Sequence, residues 1–312
     1  MKIKSVKAFA IRSDLLGGPT RTYDAEVAGP MSRYSLFKRQ RTTWRPQWPA
    51  VGCLVTTADG TWGLGMTRHD GPVIATINEH LGPLLVGESC TATEKLWDMM
   101  TRMLSPYGGG ALAPYVVGAI GLALWDLKGK LPQRSANELL GGPVRERIDR
   151  YATGNDTDWY LASGFRATKL ACPYGTAAGL GALDANEPFI AQKRQLVPTQ
   201  AVARHSVDIF QPDIAWAGGM TGCLKITHIA EGAGLPVIPH AGVNTPYGQH
   251  FSLGTANCPM GEYFVASAPG VPFAEVRLTP GMQTPQGGSL VHSDEPGLGL
   301  CLALDGEHAM AV

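Results

Sequence analysis

The sequence predicts an α/β protein whose second half is a barrel-like series of parallel strand–helix units. Three observations carry this reading. From residue 148 onward, short β-rich runs alternate with helical stretches, as βαβ units require. Two of those runs end in Asp213 and His240, 27 positions apart, about one strand–helix repeat. The first half differs, with a hairpin pattern followed by helices.

The elements follow in order. Lys2 to Ile11 alternates apolar and polar residues, with Ile3, Val6, Ala8 and Ala10 on the apolar side. Val51–Thr57 and Thr61–Met66 flank Asp59-Gly60, a hairpin signal. Ser13 to Trp48 is rich in Gly, Pro and Arg without periodicity, and a loop that long reads as a lid. Helical spacing then covers Pro72–Leu81 and Thr93–Leu104. In the next helix Pro114 takes the first position, and Val116, Val117, Ile120, Leu124 and Leu127 share a face. Asn137–Leu140 stops at Gly141-Gly142, a C-cap signal. The strand candidates of the second half are Ile148–Ala152, Thr168–Cys172, Val207–Gln211, Pro236–Pro239 and Glu262–Val265. Short strands and turns fill Val271 to Val312.

Composition excludes several function classes. The 312 residues are 44% hydrophobic and 17% charged, enough apolar mass for a core. Lys plus Arg equals Asp plus Glu at 26, so the electrostatic footprint of a nucleic-acid binder is missing. The nearest of the six cysteines, Cys223 and Cys258, are 35 positions apart, which leaves no Cys-x-x-Cys site. Tyr115–Trp125, the longest apolar stretch, is too short to span a bilayer. A cytoplasmic protein with no membrane or nucleic-acid partner is expected.

Several side chains stand out chemically. A carboxylate beside an imidazole fixes its tautomer and stabilises its protonated form, so Asp213 with His240 reads as a general-base pair. The bland alternative is a loop histidine and a helix-capping aspartate. Glu262 opens the last β-run, where it can meet a substrate hydroxyl or sit solvated. Lys169, flanked by apolar residues, needs an acid or a substrate anion if it is buried. Arg39, Arg41 and Arg45 cluster with Trp44 and Trp48 in the lid, and guanidinium groups suit carboxylates. Gly63-Leu64-Gly65 lacks the third glycine of a dinucleotide fingerprint, and Gly108-Gly109-Gly110 is no phosphate loop.

Longer stretches carry a resemblance. Gly118–Lys130 followed by Glu138–Gly142, then Gln211-Pro212-Asp213 with Ala217–Thr221, Val237–His240 and Pro296–Gly299, resemble the mandelate-racemase-like branch of the enolase superfamily. Tyr151–Gly154, Gly29–Tyr34 and His240–Phe251 look like its sugar-acid dehydratases. The resemblance implies an α+β capping domain on a modified (β/α) barrel of TIM type. Residues 1–130 would form the cap, with the lid at 13–48. Residues 131–270 would form the barrel, and 271–312 would return to the cap. It implies Mg²⁺, a small-molecule sugar-acid substrate such as L-rhamnonate, and a homo-oligomer. His240 would be the base, Asp213 its partner and Glu262 a substrate-hydroxyl contact, with Arg41 and Lys169 binding substrate. The reaction would be α-proton abstraction and β-elimination of hydroxyl, giving a 2-keto-3-deoxy acid.

The barrel expected here is incomplete. Eight βα units need at least about 200 residues, and residues 148 to 270 are 123. The family's three metal-binding carboxylates end the third, fourth and fifth barrel strands. Between Lys169 and Asp208 the only acids are Asp184 and Glu187, in a helical-looking run. About three central βα units are absent, with the junction expected near Val197-Pro198. Two functional readings follow: a metal-dependent sugar-acid dehydratase, or a truncated, non-catalytic homologue without a metal site.

Overall fold

Alternation in the first strand and the Asp-Gly turn produce the expected sheet. In the computed structural model, β1 (Ile3–Ile11), β2 (Ala50–Thr57) and β3 (Trp62–Arg68) form an antiparallel sheet in that order. Gly60 takes a left-handed φ of 89° in the β2–β3 turn, and Thr57 N–H donates to the Thr61 carbonyl at 2.8 Å. The described residues are 1–11, 31, 34, 37, 48–108, 110, 112–170, 172–174, 180–194, 209–265, 267–273, 281–300, 302–305 and 308–311. Most of the lid, with Arg39, Arg41 and Arg45, and the expected junction near Val197-Pro198 lie outside them.

The helix expected at Pro72–Leu81 is part of a longer composite. It comprises α1 (Asp70–Ala75), a π-helical turn (Thr76–Leu81) and α2 (Gly82–Leu85). After α3 (Thr93–Met103) comes α4 (Leu112–Lys130). It starts two residues before Pro114, which therefore sits in the first turn, where a missing N–H costs no helical bond. The helix is apolar on nearly every side because it is enclosed: β3 lies on one side and the barrel half on another. Glycine makes the β3 contact possible. A Cβ at Gly65 would strike the Ala119 carbonyl, and one at Gly63 the Ala123 carbonyl. α5 (Ala136–Leu139) opens with a Ser135/Glu138 capping box and ends before Gly141 at φ 99°.

In the second half, β4 (Arg147–Thr153) is flanked in parallel by β5 (Thr168–Lys169) and β6 (Gly261–Phe264). Between β4 and β5 lies α6 (Thr157–Ala162), and α7 (Leu180–Arg194) follows. α8 (Gly219–Gly232) and α9 (Pro246–Gly254) precede β6. β7 (Ser289–Val291) pairs antiparallel with β4, and β8 (Leu302–Asp305) with β9 (His308–Ala311). β9 lies against β1, so the end of the chain returns to the first sheet.

Among the described residues, three expected strands are shorter than the sequence pattern. Thr168–Cys172 keeps a ladder only over its first two residues. Val207–Gln211 and Pro236–Pro239 meet in one parallel bridge, Phe210 to Val237. Pro212, Pro236 and Pro239 have no N–H, which limits any longer ladder there. No helix among the described residues is long and apolar enough to cross a membrane.

Candidate active site

The ends of the parallel segments bring the predicted residues together. Lys169 ends β5, Thr153 ends β4, and Glu262 is the second residue of β6. Asp213 and His240 follow the Phe210–Val237 bridge. Their segments are joined by backbone bonds, Ile238 N–H to Phe210 O at 2.9 Å and His240 N–H to Pro212 O at 3.0 Å. The repeat spacing thus translates into neighbouring strand ends.

Glu262 is the hub. Its side chain is fully buried, yet four donors converge on its two oxygens. Thr153 Oγ1 (2.6 Å) and Lys169 Nζ (2.8 Å) meet Oε1, while the Ala241 N–H (2.9 Å) and His240 Nδ1 (3.1 Å) meet Oε2. Burial by itself would raise its pKa. The hydrogen bonds from His240, Lys169, Thr153 and Ala241 outweigh that and lower it to about 2. Ala241 adopts a left-handed backbone, φ 50° and ψ 26°, unusual for a residue with a Cβ. That turn aims its N–H at the carboxylate.

The tautomer of His240 follows from this. An ionised carboxylate only accepts, so Nδ1 donates to Glu262. The lone pair then sits on Nε2, which has no hydrogen-bond partner among the described residues. The ring is 33% exposed, packs against Trp216 (centroids 5.6 Å apart) and meets Phe264 edge-on at 5.5 Å.

Asp213 and His240 are neighbours, near enough for the imidazole to favour the ionised carboxylate. No hydrogen bond links the Asp213 and His240 side chains. The Asp213 carboxylate instead accepts from the Ala215 N–H at 2.9 Å, and the Trp216 N–H donates to the Asp213 carbonyl at 3.0 Å, closing the turn that leads into α8. The physical reason is the tight Asp213–Trp216 turn, whose N–H groups are nearer than the imidazole. Burial raises the Asp213 pKa, against the attraction of the nearby His240 and Arg68. Glu262, expected to contact substrate, has both oxygens engaged by protein donors.

Lys169, the expected anion binder, contacts Gln211 Oε1 at 3.1 Å besides Glu262, and remains 41% exposed. Gln211 in turn donates to the Tyr151 hydroxyl at 2.6 Å. Arg41 lies outside the described residues. Thr153, Tyr151, Gln211, Trp216 and Arg68 were not singled out by sequence. The first three belong to stretches that carry the family resemblance. Trp216 and Arg68 meet only across the two halves of the chain, so no local spacing marks them.

These features define a class. Residues 36–141 match the mandelate racemase/muconate lactonizing enzyme N-terminal domain, and residues 198–306 match the enolase C-terminal domain-like family. The chain belongs to the enolase superfamily, with its capping and barrel-type domains. Among its relatives, the L-rhamnonate dehydratase of Saccharopolyspora erythraea is 27% identical over 386 aligned positions, covering 97% of each chain. The crystal structure of L-rhamnonate dehydratase from Gibberella zeae superimposes with a TM-score of 0.83 at 25% identity, covering 96% of this chain and 93% of that one. A second structure of the Gibberella zeae protein, complexed with Mg, gives the same TM-score at 26% identity. The 386 aligned positions exceed the 312 residues of this chain, so the alignment spans segments that it does not possess.

Mg²⁺ is the cofactor of this superfamily, and its fit can be tested on the donors present. No group of three or more His, Cys, Asp or Glu side chains placed to hold a metal occurs among the described residues. Glu262 is saturated by four donors, and Asp213 faces backbone N–H groups. Asp184 and Glu187 are exposed on α7. Mg²⁺ demands near-octahedral oxygen ligands, and the described residues do not supply that set.

Proposed function

We propose that this chain acts on a sugar acid, L-rhamnonate or a close relative, removing water to give the 2-keto-3-deoxy acid. The observation that carries this reading is the His240–Glu262–Lys169 cluster at the strand ends. Glu262 fixes the His240 tautomer and leaves Nε2 free, as a general base requires. Nε2 takes the proton alpha to the substrate carboxylate, and the charge that develops on that carboxylate falls near the Lys169 ammonium. The hydroxyl on the next carbon then leaves as water, taking the proton that His240 holds, and the resulting enol tautomerises to the 2-keto acid. In this reading Glu262 orients His240, and Asp213 adds a negative charge on the flank of the ring. Arg41 belongs to the lid that closes over the substrate.

The finer part of the proposal concerns completeness. About three central βα units are absent, and with them the strands whose ends would carry the metal-binding carboxylates. The excess of aligned positions over chain length supports this. The shortage of acidic donors favours a second reading, a homologue that binds sugar acids without turning them over.

One experiment separates the two. Purified protein is incubated with L-rhamnonate and Mg²⁺, and the 2-keto-3-deoxy acid is assayed. Turnover is expected, and His240→Asn is expected to abolish it while sugar-acid binding persists, because the proton transfer belongs to the transition state alone. Binding without product by the unaltered chain would establish the second reading. Undiminished turnover in His240→Asn would remove His240 as the base.

A further inference from the structure

The capping sheet delivers to the rim of the site an arginine that has no ion pair among the described residues. Arg68 is the last residue of β3, and its guanidinium carbon lies 5.3 Å from the centroid of the Trp216 ring. Trp216 is the residue packed on His240. Arg68 is also near enough to Asp213 for its charge to favour that carboxylate's ionised form. It makes no hydrogen bond or ion pair among the described residues, and it is exposed. The five N–H donors of its guanidinium are therefore uncommitted, on the tryptophan that also packs against the candidate base.

The surroundings hold it there. Thr67 Oγ1 donates to the Ala215 carbonyl at 3.3 Å, fastening the end of β3 to the turn after Asp213. His69, the next residue, has a left-handed backbone, φ 67° and ψ 61°, which breaks the strand and starts α1. Such a conformation is strained in a residue with a Cβ and persists only where its surroundings impose it. Here the His69 ring is held between Trp48 (5.7 Å) and Tyr115 (4.8 Å), and Tyr115 reaches Trp216 at 5.9 Å. A continuous run of rings thus joins the cap to His240, with Arg68 seated on it. An arginine packed on a surface tryptophan need be no more than a solvated cation. This one shares its tryptophan with the candidate base and belongs to the other half of the molecule.

We propose that Arg68 is a carboxylate-binding residue of the site, gripping the acid group of the substrate from the cap side. This inference rests on the sugar-acid reading above. A guanidinium fork matches a carboxylate in two parallel bonds. Stacking on Trp216 orients the fork and reduces the freedom lost on binding. Of the cations at this rim, Lys169 is engaged by Glu262 and Gln211, which leaves Arg68 the uncommitted one among the described residues.

Calorimetric titration tests this with L-rhamnonate, D-gluconate, galactarate and neutral L-rhamnose. Arg68→Gln is expected to weaken L-rhamnonate binding at least tenfold and to leave any L-rhamnose binding unchanged. Arg68→Lys, which keeps the charge and loses the fork, is expected to fall between. Equal affinity for L-rhamnonate in Arg68→Gln and the unaltered protein would overturn the inference while leaving the sugar-acid reading intact. A parallel loss for L-rhamnonate and L-rhamnose in both variants, with a lowered Tm, would also overturn it, by showing a purely structural role. If the unaltered protein takes gluconate or galactarate but not L-rhamnonate, and Arg68→Gln weakens that binding, the inference stands and the proposed substrate falls. Binding of none of the three acids by the unaltered protein overturns it.

Discussion

Glu262 shows how one buried carboxylate can organise a site. Four protein donors hold it ionised in a place where burial alone would favour the neutral acid. Its folded pKa, about 2, is below the reference value of 4.5. Stabilisation from a depressed carboxylate is present above the unfolded pKa and is lost as pH falls through the folded one. The cluster therefore contributes fully above about pH 4.5 and loses its contribution toward pH 2, by on the order of 2 kcal/mol after allowance for screening at the open rim. Melting curves between pH 7 and pH 2 check this. Glu262→Gln is expected to lower Tm at neutral pH and to flatten the acid limb. An acid limb as steep as in the unaltered protein would show that the loss comes from other carboxylates. Around Glu262, the left-handed Ala241 is strain serving geometry, since an extended residue there would turn its N–H away.

At the scale of elements, α4 joins the two halves. Its Asp126 is completely buried and accepts from the Leu64 N–H of β3 at 2.8 Å, from the Leu298 N–H at 2.8 Å and from Lys130 at 2.7 Å. Burial raises its pKa, against the pull of Lys130 and the two backbone donors. One side chain thus ties the capping sheet, the long helix and the segment after β7. Asp126→Ala would leave two buried backbone donors unpaired and take from the largely buried Lys130 ammonium its carboxylate, leaving it the Leu300 carbonyl and the Trp62 ring. Breaking a buried pair from one side costs about 3–5 kcal/mol, and denaturant unfolding should show a loss of that size. A loss below about 1 kcal/mol would mean that water replaces the carboxylate. Tighter packing tells the same story at Gly65, where even a methyl group would push α4 off the sheet.

At the scale of the whole molecule, the chain has 312 residues against 386 aligned positions with its Saccharopolyspora erythraea relative. The parallel strands β5, β4 and β6, with the Phe210–Val237 bridge, carry the side of the candidate site that holds His240 and Glu262. The acidic side expected of the superfamily has no counterpart among the described residues. A ligand that binds the folded state raises Tm according to its concentration over its Kd. Mg²⁺ alone, at about 1 mM, is accordingly expected to leave Tm unchanged, whereas L-rhamnonate raises it. A clear rise with Mg²⁺ alone would reveal a donor set beyond the described residues. Differential scanning fluorimetry with and without chelator makes the comparison.

Much of this organisation was legible in the sequence because it depends on short-range rules. The Asp59-Gly60 hairpin, the helix stop at Gly141-Gly142, the helix at Thr93 and the repeat spacing of Asp213 and His240 are local patterns. Alternation, caps and turn residues act within a few positions. The family stretches added the superfamily and the chemistry to expect. Tertiary structure alone decided which carboxylate His240 would meet. Asp213 is one repeat away and its segment lies alongside, yet its own turn captures it, while Glu262 arrives from β6 with the donors that keep it charged. Tertiary structure alone also carried Arg68 from the capping sheet onto Trp216, the ring that packs against His240. Partner choice among buried charges depends on desolvation and on which donors converge in space, and residues 145 positions apart, such as Arg68 and Asp213, leave no periodic trace of that convergence in the chain.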